Sequence, residues 1–85
     1  MAELNEMVEV IHDKESFLQF IAKLSEDLKL NQTAWGNRDL GSFLEAMGSW
    51  IEDMDGYYIN CGIEAPKSET WRFFADALMA ARIYE

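Results

Sequence analysis

The sequence predicts an all-α fold, a small antiparallel three-helix bundle behind an irregular N-terminal leader, and three observations carry that expectation. Apolar residues recur at steps of three and four in three separate stretches, which places them on one side of an α-helix. Each stretch opens near an Asp, Ser or Thr able to accept a hydrogen bond from the free N–H groups of a first helical turn. Between the stretches lie Gly36-Asn37, Gly62 and the single proline, Pro66, all breakers of regular structure.

Residues 1–12 form the leader. Val8 and Val10 alternate with Glu9 and Ile11 as in an extended arm, while Glu3, Glu6 and Glu9 recur as on a frayed helical turn. Most of this segment is expected to be irregular, as untethered chain ends usually are. The first helix covers about 13–30, with Asp13 as its cap and Phe17, Phe20, Ile21, Leu24 and Leu28 as its stripe. Lys23 and Asp27 stand four apart on it, and Asn31 is suited to a left-handed cap at its end. In the connection NQTAWGNR, Thr33 is placed to cap a short turn and Trp35 to fold inward between helices.

The second helix, about 39–60, starts on Asp39 and carries Leu40, Phe43, Leu44, Met47, Trp50, Ile51 and Met54 on its apolar side. Gly56 is one place for it to stop or bend, but Tyr57, Tyr58 and Cys61 continue the spacing from Met54, and Gly62 is the better stop. An interior glycine costs roughly 0.8–1 kcal/mol relative to alanine, which burial of the tyrosines offsets. Cys61 reads as a small half-buried apolar residue. The third helix, about 70–84, is capped by Ser68 or Thr70. It is apolar over most of its girth, through Trp71, Phe73, Phe74, Leu78, Tyr84 and the intervening alanines, the pattern of a buried element.

At 85 residues the chain is expected to be one helical domain, 1–85. A hydrophobic fraction of 49%, with three Trp, three Tyr and five Phe, is too rich for a disordered segment. Sixteen carboxylates against seven Lys and Arg give a formal charge of −9. That balance opposes nucleic-acid binding, which needs cations at the phosphates, and opposes anionic membrane surfaces. It favours solubility and a basic protein partner. A lone cysteine and the lack of a signal peptide or apolar span point to a cytoplasmic protein.

No catalytic signature is present, and the chain is expected not to be an enzyme. Aligning Gly56 with the fixed glycine of a calcium loop puts Ile51 and Gly62 where side-chain ligands must stand, so that loop is excluded. His12 has no second His or Cys at zinc spacing and reads as a surface residue beside the Asp13 cap. No metal or cofactor is expected. Glu52, Asp53 and Asp55 read as a solvated acidic face, and no Lys or Arg occurs between Arg38 and Lys67.

Tyr57 and Tyr58 adjoin this face. Successive helical residues point about 100° apart, so one tyrosine is expected to be partly exposed beside the acids. Exposed aromatics there suit a protein-binding surface made of Glu45, Glu52, Asp53, Asp55, Tyr57 and Tyr58.

The segments WGNRDLGSFLEAMGSWIEDMDGYY and ETWRFFADALMAARIYE resemble a group of small bacterial proteins of unknown function, over roughly Asp13 to Glu85. Several small acidic proteins of this type are antidotes in interbacterial toxin systems, so the resemblance implies such a role. The chain is also similar in type to immunity proteins of nuclease bacteriocins, through ESFLQFI and the tyrosine pair after acidic residues. That likeness implies that Tyr57, Tyr58, Asp53 and Asp55 grip a basic nuclease. Ile59 departs from it, standing where that family has proline, and the acid-to-tyrosine spacing differs. The leading expectation is a non-enzymatic immunity or inhibitor protein that neutralises a basic toxin domain such as a nuclease. The alternative is a structural or regulatory module that self-associates or docks on a larger assembly through Phe73, Met79 and Tyr84. A monomer suits the first and a homodimer the second.

Overall fold

The computed structural model describes residues 2–85, with side chains from residue 4 onward; Met1 lies outside the described residues. Among these the regular structure is helical, with no strand: α1 (Ala2–Glu9), α2 (Lys14–Leu30), a 3-10 turn (Gln32–Ala34), α3 (Leu40–Cys61) and α4 (Ser68–Ala81). Two compact units, Met1–Ala46 and Met47–Glu85, are distinguished by their internal contacts, and α3 contributes to both.

In the first unit the leader is not irregular. It forms α1, and the described part of the chain has four α-helices where three were expected. The reason lies in Leu4 and Met7, half-buried at i and i+3. Residues three and four apart share a helical face, and α1 lies with α2, so tertiary contact holds a segment too short to be helical alone.

The start of α2 is fixed by a capping box. Asp13 Oδ1 accepts from the Ser16 backbone N–H at 2.8 Å, and the Asp13 N–H donates to Ser16 Oγ at 3.2 Å. His12 stands exposed beside it, Nε2 3.5 Å from Asp13 Oδ2. At the other end Asn31 is not left-handed (φ −131°). Its side-chain amide instead donates to Asp27 Oδ1 at 2.8 Å. The other Asp27 oxygen accepts from Trp35 Nε1 at 2.8 Å, so Asp27 is taken up by two neutral donors and Lys23 lies 3.3 Å from Glu26 instead. Trp35 turns inward as expected, half-buried, its ring stacked on Phe43 at 6.2 Å and 28°. Thr33 lies within the 3-10 turn, which has no side-chain cap.

Asp39 caps α3 through Ser42, whose backbone N–H (2.8 Å) and hydroxyl (2.9 Å) both donate to its carboxylate. The helix runs through Gly56 without a break and stops at Gly62, the one described residue with positive φ (69°). There the Ile63 N–H donates to the Tyr58 carbonyl (3.1 Å) and the Gly62 N–H to the Ile59 carbonyl (3.2 Å). This is a Schellman termination, which places a left-handed residue just past the helix. Cys61, the last residue of the helix, is exposed rather than half-buried. Met54, 8% exposed, is the one described apolar residue that is buried.

The two glycines predict opposite outcomes for one substitution. A methyl added at Gly56 meets nothing within 4 Å, so Gly56→Ala is expected to stabilise by about 0.5–1 kcal/mol. Gly62→Ala forces alanine into the left-handed region and is expected to cost about 1–2 kcal/mol. Thermal melts followed by far-UV circular dichroism check the signs.

In the second unit α4 begins at Ser68, with Lys67 at the cap position and no side-chain hydrogen bond there, so neither Ser68 nor Thr70 caps it. Its other end is closed by Arg82, whose Nε donates to the Met79 carbonyl at 3.1 Å. Trp71 and Phe74 are half-buried, but no described residue of α4 is fully covered, contrary to the expectation of a buried helix. Its apolar side chains Phe73, Leu78 and Met79 stay 69%, 39% and 56% exposed.

Three carboxylates titrate below the ordinary aspartate value of 3.8. The Ser16 hydroxyl and then its N–H hold Asp13 down; the Trp35 indole and then the Asn31 amide hold Asp27; the Ser42 N–H and then its hydroxyl hold Asp39. Each donor favours the charged form. The stability this gives is complete above the unfolded value and is lost as pH falls through the lowered folded values. Urea midpoints measured down an acid series are expected to fall for the wild type and to fall less steeply for Asp39→Asn.

Candidate protein-binding face on α3

All six residues singled out from the sequence lie on α3, and the helix sorts them. Glu45 belongs to the first unit; Glu52, Asp53, Asp55, Tyr57 and Tyr58 belong to the second. At about 100° per residue, Asp53 falls roughly 60° from Trp50 and 40° from Tyr57, whereas Glu52 falls on nearly the opposite side of the helix. Asp55 falls roughly 60° from Tyr58. The continuous helix therefore brings Asp53 and Asp55 beside aromatic rings and leaves Glu52 away from them.

Trp50, Tyr57 and Tyr58 form one cluster. Their centroids lie 5.5 Å (Trp50–Tyr57), 6.4 Å (Trp50–Tyr58) and 5.1 Å (Tyr57–Tyr58) apart, with interplanar angles of 60°, 70° and 84°. These are edge-to-face contacts, in which the positive rim of one ring meets the negative face of the next. Each ring fixes its neighbours, which lowers the entropy lost when a partner covers them. Trp50 and Tyr57 each remain 49% exposed, while Tyr58 is half-buried.

Helical spacing puts Trp50 on the apolar stripe of α3. Its membership of this cluster follows from its i, i+7 and i+8 relation to Tyr57 and Tyr58, a signal that counts only if α3 continues through Gly56. Glu45, Glu52, Asp53 and Asp55 are exposed, and among the described residues none is in an ion pair.

Other surfaces carry less chemistry. The first unit has an open groove of about 430 Å³ lined by Ile21, Leu24, Leu28, Trp35, Leu40 and Phe43, with Arg38 and Asp39 also on its wall. Among the described residues no three His, Cys, Asp or Glu side chains are grouped to hold a metal, and no helix is long and apolar enough to cross a membrane. No curated protein and no solved structure matches the chain at a significant level. A family model does match it over residues 13–85, the greater part of its length, and the chain belongs to that family of unknown function, DUF7660.

Proposed function

We propose that this protein is a non-enzymatic protein-binding module that holds a basic protein against the second-unit face of α3, as an inhibitor or immunity protein neutralising a toxin domain such as a nuclease. The observation that carries the reading is the half-open ring cluster of Trp50, Tyr57 and Tyr58 beside unpaired carboxylates. Desolvated aromatics slow dissociation, and opposed charge speeds encounter. The chain's acidity and its likeness in type to bacteriocin immunity proteins support the choice of partner class. Capture on immobilised protein tests it, comparing wild type with Tyr57→Ala/Tyr58→Ala in lysate of the source cell. A strongly basic protein held by the first and not by the second is expected; equal capture by both removes α3 from consideration.

A second reading, self-association through α4, is favoured by the exposure of Phe73 (69%), Met79 (56%) and Tyr84 (87%). An exposed apolar surface of that kind is a common mark of an interaction site. Sedimentation equilibrium separates the two readings. A dimer indifferent to salt and abolished by Phe73→Glu supports self-association, and a monomer at all concentrations rejects it.

A further inference from the structure

Resting on the basic-partner reading, we infer that the α3 cluster is an arginine-selective site: a guanidinium of the partner stacks on the exposed part of Trp50, beside Tyr57, and is held by Asp53. The edge-to-face arrangement sets this up. Each contact between the rings uses the rim of one, and about half the surface of Trp50 and of Tyr57 is left uncovered. The face of an aromatic ring is its negative side and attracts a cation, tryptophan most strongly.

Asp53 supplies the second element. It stands three residues after Trp50 and four before Tyr57, the two spacings that make neighbours on a helix, and it is exposed and outside any described ion pair. The chain offers it no cation from nearby sequence, since no Lys or Arg lies between Arg38 and Lys67. Arg72, in the same unit, is already engaged with Asp76 at 3.1 Å.

The choice of arginine over lysine follows from shape and hydration. A guanidinium is planar, weakly hydrated and able to stack on a ring while donating two parallel hydrogen bonds to one carboxylate. An ammonium is compact and strongly hydrated, and gives up more water for the same position. An exposed ring with a second ring inclined at 60° beside it and a carboxylate one helical turn away therefore selects the first.

Blocked tetra-arginine and tetra-lysine peptides of equal charge, titrated into the intact protein, provide the test, with the Trp50 indole N–H resonance as the reporter. Tetra-arginine is expected to move that resonance and to bind several-fold more tightly than tetra-lysine. Trp50→Leu is expected to erase the preference but leave a weak, salt-sensitive affinity for both; Trp50→Phe keeps a ring there and retains part of the preference. Equal binding of the two peptides by the wild-type protein overturns the arginine site and leaves a basic partner standing. Binding of neither peptide at low salt overturns both.

Discussion

Replacing Tyr57 by alanine is expected to weaken binding of the captured basic partner about 30-fold, a loss of about 2 kcal/mol of the size that marks an interface hot spot. The ring is half-exposed, held from two sides by Trp50 and Tyr58, and set four residues after Asp53. Its removal takes away contact area and also frees the two rings that it orients. Tyr58→Ala is expected to act in the same direction. Glu45→Ala, in the other compact unit, is expected to change affinity by less than about threefold, since an isolated exposed charge acts mainly on encounter. Surface plasmon resonance separates the rates: the tyrosine loss belongs in dissociation, and added salt belongs in association. If Glu45→Ala proves as damaging as Tyr57→Ala, the aromatic cluster is not the centre of the interface.

The parts of the fold that were legible in the sequence are those decided by local hydrogen bonding. Asp13 and Asp39 cap α2 and α3 because each has a serine three residues on whose N–H it accepts, a pairing internal to four residues. Gly62 likewise ends α3 through two backbone hydrogen bonds within six residues. Contacts between segments were harder to read. The helicity of α1 goes with its packing against α2, and the alternation of Val8 and Val10 with Glu9 and Ile11 suggests an extended arm instead. Asp27 was paired with Lys23 by helical spacing, yet the indole of Trp35, eight residues on, takes its carboxylate. The candidate face divides in the same way. Its tyrosines and acids were visible as neighbours in sequence, whereas Trp50 joins them only through two turns of unbroken helix. Helical spacing assigned Trp50 to the apolar stripe and could not tell that half of it stays open.

Trp35→Ala is expected to produce the largest loss of stability in the first unit, about 2 kcal/mol, below the roughly 3–5 kcal/mol of a fully buried aromatic because the ring is only half-covered. That is a large share of the total for any domain of this size. Three connections fail together: the indole N–H to Asp27 at 2.8 Å, the stack on Phe43 at 6.2 Å, and the wall the ring contributes to the groove beside Leu24 and Leu28. The 3-10 turn that leads into Trp35 is held to α2 by little else of this kind, so the start of α3 loses its reference to the end of α2. Trp35→Phe distinguishes the parts, since it keeps a ring for Phe43 and removes only the donor. The phenylalanine variant is expected to lose less stability and to show a shallower acid dependence, because Asp27 then lacks the donor that does most to lower its pKa. Urea denaturation of the three proteins in parallel at neutral and acid pH measures both effects. An alanine variant as stable as the wild type would mean that Trp35 is a passenger in the turn and that α2 and α3 are registered by some other contact.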